Sequence, residues 1–182
     1  TGIISEWKTS EGSKPDDALH VATIAYNRDA NYTFEVSYTD EAGNVNQTVD
    51  TGDSAAPYTF TVDKAAPKGT ITSETAEGRK DSWSSLVRKL LFGIWSRKKI
   101  DITAETSDDT SPVASVQYYK TSDPKEKTVS DLANVTWSEF DSLTVKANEQ
   151  FTIYLKITDM AGNTAYISTD GMIVDDTDPR IE

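Results

Sequence analysis

The 182-residue sequence contains no cysteine and a single histidine, His20. Without cysteine there is neither a disulfide framework nor a thiolate metal site. With one histidine there is no histidine pair at metal-binding spacing, and the Gly-x-Ser-x-Gly turn that presents a nucleophilic serine is also missing. A serine or cysteine nucleophile with a histidine base is therefore not expected. We predict that the protein is not an enzyme and that it binds no cofactor and no metal.

Long hydrophobic runs and an excess of positive charge are missing as well. No apolar run approaches the roughly 20 residues of a membrane-spanning helix, and no signal peptide or wall anchor is recognisable. Thirty acidic against eighteen basic residues give a net charge of -12, which opposes binding to nucleic-acid phosphates. We therefore expect no membrane insertion and no nucleic-acid partner. The composition is typical of an extracellular all-β protein, so we expect export, with targeting signals outside this fragment.

What the sequence does contain is an internal repeat. The segment Asp40-Glu-Ala-Gly-Asn44 returns as Asp159-Met-Ala-Gly-Asn163, and each copy is followed by a Val-Asp-x-x-x-Pro ending, at Pro67 and Pro179. Self-similarity at a long period indicates modules in a row rather than one catalytic domain. The predicted domains are the C-terminal part of a truncated module over 1–66, a complete module over 67–178 and a linker to the next module over 179–182.

The hydrophobic pattern has the period of β-strands. Val, Ile, Thr, Tyr and Phe alternate with polar residues in short runs that are separated by Asp, Asn, Gly and Ser clusters. In the run 151–157, the side chains of Phe151, Ile153, Leu155 and Ile157 fall on one face, which predicts a core face. Many short strands with frequent turns predict an all-β fold built from β-sandwich modules.

One segment breaks this pattern. Between Asp81 and Gly93, apolar residues recur at helical spacing, with Asp81 or Ser82 able to cap the first amides and Gly93 able to end a helix. We predict a short α-helix inserted in the second module, near 82–92. The apolar residues of this stripe are Trp83, Leu86, Val87, Leu90 and Leu91.

With the sandwich pattern, the Asp-x-Ala-Gly-Asn turn and the Val-Asp-x-x-x-Pro boundary, the chain resembles the tandem bacterial Ig-like modules of cell-surface proteins of Gram-positive gut Firmicutes. The resemblance implies an Ig-like sandwich in each module, a place at the bacterial cell surface or in the medium, and neighbouring Ig-like modules as partners in the same chain. Such modules resemble spacers and adhesin domains, and some proteins built from them bind host immunoglobulins through the variable region, in a superantigen-like way.

The predicted helix carries a local charge opposite to that of the chain. Between positions 79 and 99 there are seven Lys or Arg residues and one acid, Asp81, together with two of the four tryptophans. Aromatic residues beside arginine are typical of protein interfaces. The alternative is that the apolar stripe plugs the open end of the sandwich while the cations are solvated around it. The candidate partner-binding residues are Arg79, Lys80, Trp83, Arg88, Lys89, Trp95 and Arg97.

Two other patterns have a functional and a structural interpretation. Asp and Asn oxygens in the repeated turn and in the acidic linker 175–179 suit calcium, but a plain hairpin and a solvated linker are favoured. Aromatic rings on strands could form a platform for sugars, although packing is the commoner role of such rings. The residues of that platform would be Trp7, Trp137, Tyr118 and Tyr119.

Three functions remain open. The favoured hypothesis is a non-enzymatic surface module that binds a host protein, with the immunoglobulin Fab as the specific candidate. The second is a spacer that projects another domain from the cell wall. The third is a carbohydrate-binding accessory module of a secreted glycoside hydrolase, which would require clustered and exposed tryptophans.

Overall fold

The computed structural model describes residues 3–6, 8–10, 19–34, 38–40, 42–46, 58–146 and 148–180. The chain divides into two compact units, 1–64 and 65–182. About 50% of the residues that the structure describes are in strands and 3% are in helix, so the all-β prediction is confirmed. The predicted truncation of the first module and the predicted linker at 179–182 stay predictions.

The first unit consists of short antiparallel strand pairs in its described residues. The pairs are β1 with β4, β2 with β3, β5 with β8, and β6 with β7. Three aromatic rings cluster beside the β5–β8 pair, because Tyr26 lies 4.5 Å from Tyr32 and 4.9 Å from Phe60 between ring centroids. The strands are β1 (Ile3–Ile4), β2 (Lys8–Ser10), β3 (Leu19–Val21), β4 (Ile24–Ala25), β5 (Ala30–Phe34), β6 (Tyr38–Thr39), β7 (Val45–Asn46) and β8 (Tyr58–Val62).

The second unit is a sandwich of two sheets. One sheet has the strand order β10-β9-β12-β15, and the other has the order β11-β18-β16-β13-β14 with β17 also paired to β16. The β11–β18 ladder is parallel, and the other ladders are antiparallel. The elements are β9 (Lys68–Thr75), β10 (Lys80–Trp83), β11 (Ile94–Ser96), β12 (Ile100–Ser107), β13 (Val113–Thr121), α1 (Val129–Leu132), β14 (Ser138–Glu139), β15 (Leu143–Val145), β16 (Glu149–Asp159), β17 (Thr164–Ser168) and β18 (Met172–Val174).

The core of this unit lies between the two sheets. Strand β16 contributes Phe151, Ile153, Leu155 and Ile157, which are at most 1% exposed and all belong to one buried cluster. The predicted core face of this strand is therefore confirmed. The β12 sheet supplies the opposing side chains, which are Ile71, Ile100, Ile102 and Val145.

The repeated Asp-x-Ala-Gly-Asn segment is a hairpin turn in both units. In the second unit, Asp159 accepts hydrogen bonds from the Asn163 backbone N–H at Oδ1 and from Asn163 Nδ2 at Oδ2, both at 2.8 Å. Asp40 and Asn44 form the same pair of bonds in the first unit. Gly162 has a φ of +92°, a conformation that glycine adopts without a steric penalty. The repeat therefore encodes a turn in which the aspartate side chain closes the loop, as the hairpin interpretation predicts.

The helix predicted near 82–92 is wrong. Strand β10 extends to Trp83, which pairs with Ile71 of β9, and residues 84–93 form bends and irregular backbone. An isolated helix of about this length is marginal in water, and here the backbone groups find partners elsewhere in the fold, as described below. Within the described ranges, the structure contains no helix with the length and hydropathy of a membrane span.

The one helix of the described residues lies instead in the segment 122–137, which packs on the outer face of β16. Thr128 and Asp131 form a capping box, in which Thr128 Oγ1 accepts from the Asp131 N–H at 3.3 Å and Asp131 Oδ2 accepts from the Thr128 N–H at 2.8 Å. The segment buries Leu132 and Tyr154 to 0% and 1% exposure, and the Lys127 N–H donates to Tyr154 Oη at 3.1 Å. Strand β16 is therefore covered on both faces.

The capping box predicts a pH-dependent contribution to stability. Hydrogen bonds from the Thr128 side chain and backbone lower the pKa of Asp131 below its ordinary value of 3.8. Because the folded pKa is depressed, the stabilisation is present above pH 3.8 and is lost as the pH falls through the folded pKa. We expect Asp131→Asn to lower the unfolding temperature at pH 7 by about 2–4 °C, as for a weakened helix cap. Circular dichroism should show this difference vanish in strong acid. The exposed Asp141→Asn is the control, and an equal effect there would contradict the prediction.

Candidate functional site

The candidate residues lie on a segment that connects the two sheets of the second unit. Strand β10 is at the edge of the β12 sheet, and β11 is at the edge of the β16 sheet. Residues 84–93 join these two edges, and we call them the crossing segment. The sequence 79–99, which includes β10, the crossing segment and β11, is called the basic segment.

Long-range hydrogen bonds hold the backbone of the crossing segment. The Val87 N–H donates to Ser168 Oγ at 2.9 Å, and the Ser168 N–H donates to the Ser85 carbonyl at 3.2 Å. Nearer its end, the Leu91 N–H donates to Asp170 Oδ1 at 2.7 Å, and the Leu90 N–H donates to Glu126 Oε1 at 3.1 Å. These partners satisfy amides that would otherwise form the bonds of a helix, which explains why the apolar spacing does not produce one.

Phe92 forms the last anchor of the crossing segment. Its φ is +49°, an uncommon and strained conformation for a bulky residue. A methyl group built on Gly171 would lie 2.4–2.6 Å from the Phe92 ring, so the ring rests directly on the glycine backbone. The absence of a side chain at position 171 is therefore a requirement for this conformation.

Two of the predicted partner-binding residues have structural roles. Trp83 is half-buried and packs against the core cluster, as the plug interpretation predicts for this member of the stripe. Lys80 forms an ion pair with Glu74, its register partner on β9, at 3.1 Å. Leu91, in contrast, is 66% exposed, so the apolar stripe is only partly used in packing.

The other predicted residues divide between two clefts. Arg79, Trp95 and Arg97 line a cleft of about 720 Å³, which we call the Trp95 cleft. Arg88 lines a second cleft, of about 560 Å³, together with Glu126, Tyr166 and neighbouring residues. The exposed Lys89 lies close enough to Glu126 for its charge to contribute to the lowered pKa of that carboxyl, after the larger effect of backbone hydrogen bonds. The prediction thus combined residues that the fold separates.

Several cations of the basic segment lack partners. In the part of the chain that the structure describes, no side-chain hydrogen bond or ion pair engages Arg88, Lys89, Arg97 or Lys98, and all four are exposed. Arg79 differs, because its guanidinium makes a two-point bond to Asp81 at 2.8 and 3.2 Å and a third to the Gly93 carbonyl at 2.9 Å. The unpaired cations can therefore meet an external ligand without breaking internal bonds.

The Trp95 cleft contains residues that the sequence did not single out. Ser96 Oγ lies 3.1 Å from Glu77 Oε2, and the Arg97 N–H donates to Glu77 Oε1 at 3.4 Å. Desolvation raises the pKa of Glu77, but the bond from Ser96 and the backbone bonds outweigh it and lower the pKa overall. Lys98 and Asp175 also line this cleft. Glu77 could not be predicted because it reaches the cleft only through the β9–β10 turn.

The predicted sugar platform is partly assembled. Tyr119 and Trp137 are neighbours on the outer face of the β16 sheet, 6.4 Å apart, and Trp137 is 5.9 Å from Tyr166. Tyr118 packs instead against the core cluster, and Trp7 lies outside the described residues. The assembled rings are half-buried and tilted by 41–66°, so they form a packed cluster rather than a flat platform.

A comparison with protein families finds a match in each of the two units of the chain. The model of one family, described as a bacterial Ig-like domain, matches residues 7–52 and 70–176. Neither the curated proteins nor the solved structures contain a significant match.

The contact between Phe92 and Gly171 gives a prediction about the crossing segment. Gly171→Ala should displace the Phe92 ring and lower the free energy of unfolding by about 1–3 kcal/mol, the usual cost of overpacking. Gly93→Ala is the matched control, since a methyl group there meets no atom within 4 Å. Urea denaturation measures both. If the steric explanation is correct, Phe92→Ala should remove most of the additional effect of Gly171→Ala; equal effects of the two glycine substitutions would contradict it.

Proposed function

Because the chain belongs to the bacterial Ig-like domain family, we propose that it is a module of a bacterial surface protein that binds a host protein through the crossing segment. Domains of this family are typically non-catalytic surface or structural modules and commonly occur in extracellular or surface proteins. Binding to a host protein is the part that we add to this assignment.

The observation that carries the proposal is a set of unpaired cations on a fixed backbone. Arg88 and Lys89 are exposed beside Leu91, which is 66% exposed, and the amides around them are tied to Asp170, Ser168 and Glu126. A fixed backbone lowers the entropy that binding must remove. An exposed apolar side chain beside arginine has the composition of an interface centre.

The specific partner that we propose is host immunoglobulin, contacted through its variable region in a superantigen-like way. This choice follows the resemblance to surface modules of Gram-positive gut bacteria, among which some bind immunoglobulins in this manner. Charge complementarity adds that a basic face on an acidic chain selects an acidic surface on the partner.

A structural spacer is the second candidate, and one observation favours it. The segment after β18 is tied to the module, because Asn148 Oδ1 accepts from the Asp176 N–H at 2.8 Å and Asn148 Nδ2 donates to Thr177 Oγ1 at 3.1 Å. Together with the following Pro179, these bonds restrict bending at the end of the module, which is what a projecting rod requires.

Binding of the immobilised fragment to polyclonal human immunoglobulin, and to its separated Fab and Fc parts, tests the proposal. We expect Fab binding across unrelated antibodies and none to Fc. The double charge reversal Arg88→Glu/Lys89→Glu should weaken it about tenfold or more, as for truncation of an interface centre. The matched control is Lys8→Glu/Lys146→Glu, which changes the net charge equally at exposed positions outside the basic segment.

The outcomes test the identity of the partner and the location of the binding surface separately. Fab binding that both double variants retain would show that the partner is right and the crossing segment is wrong. No binding to Fab or Fc would reject immunoglobulin and leave the spacer as the better explanation.

A further inference from the structure

We propose that the Trp95 cleft binds a carboxylated sugar residue, such as a uronic or sialic acid unit of a glycan. The cleft has an exposed aromatic ring, unpaired cations and carboxylate acceptors within one concave surface of about 720 Å³. Small-ligand sites occupy about 300–1,000 Å³. This site lies on β11 and the β9–β10 turn, so it does not depend on the host-protein proposal for Arg88 and Lys89.

Trp95 provides the apolar surface. It is 59% exposed, whereas its strand neighbours Ile94 and Ser96 are 3% and 5% exposed. The β11 backbone is paired with β18, which fixes the direction in which the indole projects. A large exposed ring on a fixed strand presents an apolar face with little entropy to lose on binding, and the C–H face of a pyranose ring can stack on such a face.

The cations provide recognition of the carboxylate. The exposed side chains of Arg97 and Lys98 have no hydrogen-bond or ion-pair partner in the described part of the chain. A planar guanidinium can donate two parallel hydrogen bonds to one carboxylate. Arg79 lies on the same cleft, but its bonds to Asp81 and Gly93 hold it in place, so we assign the ligand carboxylate to Arg97.

The acids in the cleft distinguish a sugar from other anions. Glu77 and Asp175 line the same surface, and an ionised carboxylate accepts up to about four hydrogen bonds. Glu77 already accepts from Ser96 Oγ and the Arg97 N–H, and Thr75 and its own backbone also bond to it, so a sugar hydroxyl would share or replace one of these bonds. Asp175, in contrast, accepts from the Thr177 N–H through Oδ1 alone among the described side-chain bonds. These acids would repel a polyanion such as nucleic acid or a run of acidic residues, whereas they can accept from sugar hydroxyls. Unpaired cations next to acceptors therefore fit a polyol that has one carboxylate.

The turn between β9 and β10 places the acceptor. The Gly78 N–H donates to the Thr75 carbonyl at 2.9 Å, the Thr75 N–H donates to the Arg79 carbonyl at 2.9 Å, and Gly78 has a φ of +86°. This tight turn brings Glu77 back to Ser96 of β11. The cleft is thus built from backbone elements that are already ordered without ligand.

Titration of the ¹⁵N-labelled chain, followed by NMR, tests the site. The probes are N-acetylneuraminic acid and methyl glucuronide, with methyl glucoside as the neutral match of the glucuronide and hexaglutamate as an acidic peptide. We expect at least one carboxylated sugar to shift the Trp95 indole N–H and the Arg97 and Lys98 amides with saturation in the millimolar range. Methyl glucoside should bind at least about tenfold more weakly, because it lacks the charge-assisted bond.

Two variants assign the interaction to the cleft. Trp95→Ala should weaken binding about tenfold through lost stacking, and Arg97→Gln should remove the preference for the acid over methyl glucoside. Lys146→Gln, at an exposed position outside the cleft, is the control. Arg97→Gln replaces a solvent-exposed side chain, so it tests the site even if Trp95→Ala disturbs the edge strand.

Three results would overturn the proposal. The first is that neither acidic sugar causes saturable shifts at about 20 mM, well above the expected dissociation constant. The second is that methyl glucoside binds as tightly as methyl glucuronide. The third is that hexaglutamate binds while neither acidic sugar does. The last result would assign the cleft to acidic peptides instead.

Discussion

The second unit depends on β16, because this strand is paired along both edges and buried on both faces. One edge carries β13, and the other carries β17 and then β18. Its inner face fills the core between the sheets, and its outer face holds Tyr154 beneath the segment 122–137. A strand in this position cannot shift by one residue without exchanging its two buried sets, so its register determines where every neighbouring element lies.

The position of the crossing segment depends on an irregularity on one edge of this strand. From Ser168↔Tyr154 to Met172↔Phe151, the β17–β18 side has one residue more than β16, which is a bulge. Thr169 satisfies the backbone of Ile153 at the bulge, because its N–H donates to the Ile153 carbonyl and its Oγ1 accepts from the Ile153 N–H. The bulge contains Asp170 and Gly171, which anchor Leu91 and Phe92. The crossing segment is therefore positioned by a defect in the sheet rather than by its own propensity.

The sequence allowed prediction of what is local in this fold. Period-two alternation predicted the core face of β16, and the Asp-x-Ala-Gly-Asn repeat predicted the hairpin because Asp159 and Asn163 bond to each other. The crossing segment could not be predicted in this way, since its amides bond to residues up to 81 positions away. The helix that the structure does contain was missed because it is short. Val129–Leu132 has only four residues, too few to show an apolar period, and its capping box was the only signal in the sequence.

Ion pairing explains why the basic segment does not form one uniformly positive surface. Lys80 and Lys99 meet Glu74 and Asp101 across or along the β12 sheet, and Arg79 meets Asp81. Exposed ion pairs of this kind add little stability, but they satisfy those cations internally. The remaining four cations lie in two places, Arg88 and Lys89 on the crossing segment and Arg97 and Lys98 after β11. Because ion pairs engage Arg79, Lys80 and Lys99, and residues 90–96 contain no cation, the unpaired charge of the basic segment is divided between two separate surfaces.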